Sequence, residues 1–269
     1  MNVKTQNNGK LSKNDRQKLI VSELQASPTI RASDLAAELN VSSETIRRDL
    51  EELESRGLIS RTYGGASRPM TTEPEVAKRD LLYLRQRELI AKEVSGFINH
   101  RDIVIIGGGA TTSHVARRLA ADKHDLIVIT DSLVIASILA TNTTIRVQIC
   151  PGTYNAKEGC VCGAETVEYL KNIYANHAIL GTSGLTEDGV SNADMDIAAT
   201  YRTMVHRANE VTVAADHSKI ARMALSVYAP WQSITNLVTD QEPWDEELQR
   251  ALKFAGVRVT IARDVWGGQ

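Results

Sequence analysis

Ser42, Ser43, Glu44, Thr45, Arg47 and Arg48 crowd into seven consecutive positions, bringing hydroxyls, a carboxylate and two guanidiniums together. A guanidinium is a planar fork that can donate to guanine O6 and N7 at once, and a well-placed pair of that kind contributes about 1–3 kcal/mol of discrimination. Ser42 and Thr45 could hold phosphate oxygens. To work this way the stretch must be a helix with an apolar back. Ile46, Leu50 and Leu53 recur at i, i+4 and i+7, while Glu44, Arg48 and Glu51 point roughly the opposite way. Ser42 suits the N-cap, Val41 and Ile46 suit a hydrophobic staple across it, and Gly57 suits the end. Arg47 and Arg48 could equally be solvated charges paired with Glu44, Glu51 and Glu52.

The neighbouring residues favour contact with DNA. Residues 14–25 place Leu19, Ile20 and Leu24 at helical spacing before Pro28, and residues 32–39 repeat the pattern with Leu35, Ala36 and Leu39. After the third helix, residues 58–63 read as a short strand closed by Gly64 and Gly65. A short helix, a tight turn, a helix with a polar front and a following strand pair make a winged helix-turn-helix. Arg61 falls on its wing, where it could touch a minor-groove phosphate or lie in solvent.

A second chemistry begins at DIVIIGGGATTSHVARRL, residues 102–119, which reads as strand, glycine loop and helix. Backbone N–H groups and a positive helix end there suit an anion. Gly107, Gly108 and Gly109 permit close approach, and the hydroxyls of Thr111, Thr112 and Ser113 can donate to phosphate oxygens. No Gly-Lys-Ser/Thr follows, so it is not a P-loop, and the third glycine of a dinucleotide fingerprint is missing. The bland alternative is a tight turn at the end of a buried strand. Asp131 and Ser132, Gly181 and Ser183, and Asp216 and Lys219 stand at three further strand ends, where ligands of parallel sheets collect. Lys219 could pair with a phosphate, or form a loop-shaping salt bridge with Asp216.

The elements that position these groups alternate. A charged helix over 76–98 precedes strands at 103–106, 126–130, 146–150, 177–180, 211–214, 236–239 and 258–261, with a helix at 114–121 and others between most strands. The result is an α/β domain with a largely parallel sheet. Residues 67–74, with two prolines and no periodicity, read as a linker. A length of 269 residues with 42% hydrophobic content suits two domains. Residues 1–70 carry 11 Lys and Arg against 9 Asp and Glu, a mildly positive head. The chain shows neither a membrane-length apolar run nor a secretory h-region, so a cytoplasmic protein is expected. Three cysteines fit a reducing compartment, and Cys160-Val-Cys162 lacks two further metal ligands at suitable spacing. Neither a metal nor a cofactor is expected.

Residues 41–66, VSSETIRRDLEELESRGLISRTYGGA, closely resemble the signature of the DeoR family of bacterial transcription regulators. The C-terminal part resembles the effector domain of such regulators, whose fold is similar to ribose-5-phosphate isomerase and whose ligands are typically phosphorylated sugars. The matching positions are Gly107 to Thr112, Thr130-Asp131-Ser132, Pro151-Gly152, the loop 181–189, and Asp216 with Lys219. The chain departs by reading GGGATT in the loop, Asp131 where Asn is common, and Ile197 and Tyr201 where Glu and Lys are frequent. The resemblance implies a DNA-binding domain over 12–67, a linker and start of a connecting helix over 68–84, and a sensor over 85–265. It further implies a homodimer or homotetramer on palindromic double-stranded operator DNA, acting by family habit as a repressor of a carbohydrate operon under a small phosphorylated sugar. An isomerase using Asp216 or Asp131 as base is the competing reading, but a fused DNA-binding head makes turnover of the signal unnecessary.

Overall fold

Ile20, Leu24, Leu35, Ile46, Leu50 and Leu53 meet in one buried cluster, as their helical spacing dictates. The computed structural model describes residues 11–26, 29–55, 58–67 and 73–264, and the chain divides into two compact units, Met1–Met70 and Thr71–Gln269. Pro28, Gly57 and the linker residues 68–72 lie outside the described residues.

The first unit runs α1 (Lys13–Ala26), β1 (Thr29–Arg31), α2 (Ala32–Glu38), α3 (Ser43–Ser55), β2 (Ser60–Thr62) and β3 (Gly65–Ser67). Its antiparallel sheet has the order β1-β3-β2. The sequence reading expects a strand pair in the wing but closes its run at Gly64-Gly65 without placing the second strand, and it misses β1. Ala66 explains β3: it is buried in the cluster, and its neighbours pair with β1 as well as β2. Gly65 has to be glycine, because a Cβ there would lie 2.0 Å from the Ile30 carbonyl oxygen. Across the helices, Asp49 of α3 takes a bidentate grip from Arg16 of α1, at 2.5 Å from Nε and 3.1 Å from Nη2. Burial works against the Arg16 charge, but the hydrogen bonds to Asp49 outweigh it and raise its pKa.

The second unit continues with α4 (Val76–Arg79), α5 (Leu84–Gly96), β4 (Ile103–Ile106), α6 (Ala110–Asp122), β5 (Ile127–Thr130), α7 (Leu133–Leu139) and β6 (Arg146–Ile149). There follow β7 (Thr153–Asn155), β8 (Cys160–Cys162), α8 (Ala164–Leu170), β9 (Ala175–Leu180), β10 (Gly184–Thr186) and β11 (Gly189–Asn192). The unit closes with α9 (Met195–Val205), β12 (Ala208–Ala214), β13 (Ser226–Ala229), β14 (Asn236–Thr239), α10 (Glu246–Ala255) and β15 (Arg258–Ile261). Among the described residues, seven strands form a wholly parallel sheet in the order β15-β14-β12-β9-β4-β5-β6, with β15 and β6 at its edges. All seven were expected from their apolar runs. Side chains of β4 alternate between the two faces: Ile103 and Ile105 enter one core, and Val104 and Ile106 the other.

Two expectations are corrected here. The charged helix over 76–98 is broken: α4 ends at Arg79, Tyr83 adopts a left-handed φ of 53°, and α5 starts at Leu84. The break turns Arg79 inward, and its carbonyl accepts from the Arg87 guanidinium. The helix placed at 114–121 begins earlier, at Ala110, directly on the glycine loop. The hairpin β7–β8 and the antiparallel sheet β10-β11-β13 are too short to leave a periodic signal.

The Arg16–Asp49 pair lies between the limits for exposed and fully buried ion pairs. Asp49→Ala is therefore expected to destabilise the first unit by about 2 kcal/mol, read as a lower denaturant midpoint for that unit's transition.

Candidate nucleic-acid interface and effector pocket

At the start of α3, Ser42 Oγ accepts from the Thr45 N–H at 3.2 Å, and the Ser42 carbonyl accepts from the Ile46 N–H at 3.1 Å. The helix start is thus capped. Ser42, Ser43, Glu44, Arg47, Arg48 and Arg61 are exposed, and Thr45 is half-buried. The side chains of Arg47 and Arg48 are 60% and 77% exposed, yet the Nε of each stands 3.4 Å from Glu44. Arg61 Nη1 stands 3.3 Å from Glu51. The structure shows the solvated, ion-paired reading of these arginines, and magnitude shows that it leaves contact with DNA open. An exposed pair contributes roughly 0–1 kcal/mol, less than the ~1–3 kcal/mol of a good contact with a base, so the pairs are easily exchanged for DNA.

In the second unit the carboxyl ends of the strands converge on a small cavity of about 40 Å³, lined in part by Gly108, Gly109, Thr111, Gly181, Ser183 and Lys219. Six expected residues therefore come together. The other six do not line it. Gly107 packs so closely under α9 that a Cβ would sit 2.8 Å from the Tyr201 ring. Thr112 is fully buried and spends its hydroxyl on the Gly109 carbonyl at 3.0 Å. Ser132 caps α7, accepting from the Ile135 N–H. Gly152 packs against Thr166 and Cys162, away from the cavity.

Asp131 and Asp216 support the pocket from behind. Asp131 is fully buried; its Oδ1 accepts from the Gly108 N–H at 2.7 Å, and its Oδ2 is without a hydrogen bond. Burial pushes its carboxyl up to about 7, against the pull of that N–H. Asp216 accepts from Arg87 at 3.3 Å from Nε and 3.1 Å from Nη2, and caps the single 3₁₀ turn His217–Lys219 by accepting from the Ser218 N–H. The loop-shaping bridge between Asp216 and Lys219 is replaced by separate pairings: Asp216 with Arg87, and Lys219 with Glu73.

Several residues of the site were missed from sequence. Glu73, Arg79, Arg87 and Glu158 form a charged wall, with Cys160, Ile197 and Tyr201 as its apolar floor. Tyr201 donates its hydroxyl to the Gly108 carbonyl. Arg79 stands 2.7 Å from Glu73 and is also paired with Glu158. Burial would raise the Glu73 carboxyl, but Lys219 and Arg79 overcome it and hold it at about 2. Burial lowers the Lys219 ammonium, with Glu73 and Asp216 opposing the loss. Arg79 and Arg87 lie eight residues apart in a run read as one charged helix, and the break in that run turns both inward. The cysteines are buried free thiols, and burial raises Cys150 to about 12.

A winged helix-turn-helix on the same chain as an α/β unit with a charged pocket at its strand ends is the build of a DNA-binding regulator with a separate sensor. The model of the DeoR-like helix-turn-helix domain matches residues 16–72, and that of the DeoR C terminal sensor domain matches residues 83–241. The chain belongs to the DeoR family of DNA-binding transcription regulators, and it is a regulator rather than an enzyme. Its relatives include the HTH-type transcriptional repressor CsqR of Escherichia coli (strain K12), 30% identical over 212 residues that cover 78% of this chain and 81% of that protein. The HTH-type transcriptional regulator IolR of Bacillus subtilis (strain 168) is 30% identical, covering 81% of this chain and 87% of that protein. The glycerol-3-phosphate regulon repressor of E. coli (strain K12) is 28% identical, covering 80% and 85%. Among solved structures, a D-ribose-5-phosphate isomerase in complex with phospho-erythronic acid is similar at 14% identity and a TM-score of 0.39, over 51% of this chain and 53% of that one. Among the described residues no helix is long and apolar enough to cross a membrane.

A carboxyl whose pKa is higher in the folded than in the unfolded chain adds stability below its unfolded value and loses it as pH rises through the folded one. For Asp131 that window runs from 3.8 to about 7. Asp131→Asn keeps an acceptor for Gly108 and carries no charge. It is expected to melt above the unmodified protein at pH 8, with the advantage shrinking as the pH falls toward 4; a constant difference across the range would contradict this account.

Proposed function

We propose that this chain is a repressor of a carbohydrate-metabolism operon. As a homodimer or homotetramer it holds a palindromic operator through the N-terminal part of α3 and the wing, and a small phosphorylated sugar or related anionic metabolite in the sensor pocket sets its affinity. Ser42, Ser43, Glu44, Thr45, Arg47, Arg48 and Arg61 form the DNA-facing set. Gly108, Gly109, Thr111, Gly181, Ser183 and Lys219 form the effector-facing set, with Arg79 and Arg87 added.

The observation that carries the effector half is the gathering of Arg79, Arg87 and Lys219 beside a glycine loop, at the start of a 13-residue helix. Three cations, backbone N–H groups at the helix start and a positive helix end favour a phosphate over a neutral sugar once the ligand's anion takes the place of one of the paired carboxylates. Ile197 and the Tyr201 ring offer an apolar floor to the rest of the ligand. The relatives' names support the class, since one is a glycerol-3-phosphate regulon repressor and another a transcriptional repressor. Control requires that the effector bind two states of the protein with different affinity, because equal affinity shifts nothing.

Arg47→Ala and Arg48→Ala are each expected to weaken operator binding by about 1–3 kcal/mol at about 0.15 M salt, measured by fluorescence anisotropy. Full affinity in both variants would remove α3 from the interface. For the sensor, at least one member of a panel of sugar phosphates is expected to raise the melting temperature of the second unit, and Thr111→Ala with Lys219→Ala is expected to abolish the shift. A panel without effect, or an equal shift in the double variant, would rule the pocket out as the effector site.

A further inference from the structure

The pocket is already filled. Glu73 reaches into it with a side chain only 3% exposed and is held by three donors from separate parts of the fold. Its Oε2 stands 2.7 Å from Arg79 Nη1 and accepts from the Ser183 hydroxyl, and its Oε1 meets the Lys219 ammonium. These come respectively from α4, the loop after β9 and the turn after β12. A carboxylate held by a guanidinium, an ammonium and a hydroxyl is what an anionic ligand would look like in the same place.

We propose that Glu73 is a tethered stand-in for the effector, its carboxylate holding the anion site until the effector's anionic group displaces it and frees residues 73–75. The proposal rests on the pocket being the effector site and adds how that site is regulated and what class of ligand opens it. Charge argues for displacement rather than addition. Arg79, Arg87 and Lys219 face Glu73, Glu158 and Asp216, so with Glu73 in place the cluster is neutral and an arriving anion gains no net attraction. Once Glu73 has left, the cluster carries one positive charge, suited to a phosphate monoester or a carboxylate. Space argues the same way. The free cavity of about 40 Å³ holds a water or two but no phosphorylated sugar.

The position of Glu73 in the chain gives its departure a consequence. It directly follows the linker residues 68–72, and the next residue, Pro74, has no N–H to help pin the strand. The backbone is next fastened at Val76, whose N–H donates to the Lys157 carbonyl at 2.9 Å. With Glu73 docked, the sensor holds the chain from residue 73 onward; once Glu73 leaves, the hold begins at the Val76 backbone. Effector binding thus lengthens the stretch ahead of α4 that the pocket does not hold.

The test titrates the full-length protein with inorganic phosphate by calorimetry. Glu73→Gln keeps the shape of the side chain and can still accept from Ser183, but it lacks the charge. It is expected to bind phosphate at least tenfold more tightly than the unmodified protein, and adding Lys219→Met is expected to cancel the gain. No gain in Glu73→Gln, or a gain that survives Lys219→Met, overturns the proposal. Should Glu73→Gln fail to fold, Glu73→Asp, one methylene too short for its partners, serves in its place with the same expectation. In the unmodified protein, saturating phosphate is also expected to speed amide exchange at Glu73 and Glu75 while Val76, held by the Lys157 carbonyl, stays protected, and unchanged exchange at both glutamates counts against release. The two readings fail separately. A sugar phosphate that binds unmodified protein and Glu73→Gln equally sinks the stand-in and leaves the effector site. A phosphate gain in Glu73→Gln with no sugar phosphate binding either form sinks the sugar and leaves the stand-in.

Discussion

Cations cannot be held at the strand ends of an apolar sheet without carboxylates to match, because an unpaired buried charge costs far more than any single packing contact returns. Arg79, Arg87 and Lys219 impose that condition on the sensor, and much of its irregular structure answers it. Asp216 caps a 3₁₀ turn and in doing so faces Arg87. Glu158, on the connection between β7 and β8, comes to Arg79. The chain before α4 delivers Glu73 to Lys219. The break between α4 and α5 belongs to the same set: a continuous helix would not bring the Arg87 guanidinium onto the Arg79 carbonyl. The regular sheet supplies the frame, and the irregular segments between strands supply the neutralising charge.

This division explains what could be read from the sequence. The inner strands of the parallel sheet were legible because a strand buried on both faces is rich in consecutive apolar residues, as in Ile103–Ile106 and Ile127–Thr130. The capped recognition helix was legible because Ser42, Val41 and Ile46 carry a local signal. The charged wall of the pocket was not, since its members are scattered from residue 73 to 158 and each resembles a solvated surface residue in its own stretch. Glu73 sits beside a proline in a segment with linker composition; nothing local marks it as buried. The glycine loop was located, but part of its role was misassigned: Gly107 is small because Tyr201 lies against it, and Thr112 points its hydroxyl at backbone.

The side proposed to face DNA follows the opposite rule. Its arginines stay in solvent, paired loosely with Glu44 and Glu51, and those pairs contribute little to stability. Holding a guanidinium near an exposed carboxylate limits its wandering without fixing it, so the side chains remain available while the apolar back of α3 and the Arg16–Asp49 pair fix the axis from which they project. Rigidity lies behind the helix, and adaptability in front of it.

The two outer strands of the parallel sheet, β6 and β15, each open with an exposed arginine, Arg146 and Arg258. An open sheet edge is a template on which another chain can lay its own backbone. A fixed positive charge at the entrance to each edge sets like charge against like when the β6 edge of one copy approaches the β15 edge of another in the parallel sense that would extend the sheet. Open-ended growth of the sheet from copy to copy is thereby discouraged at both borders.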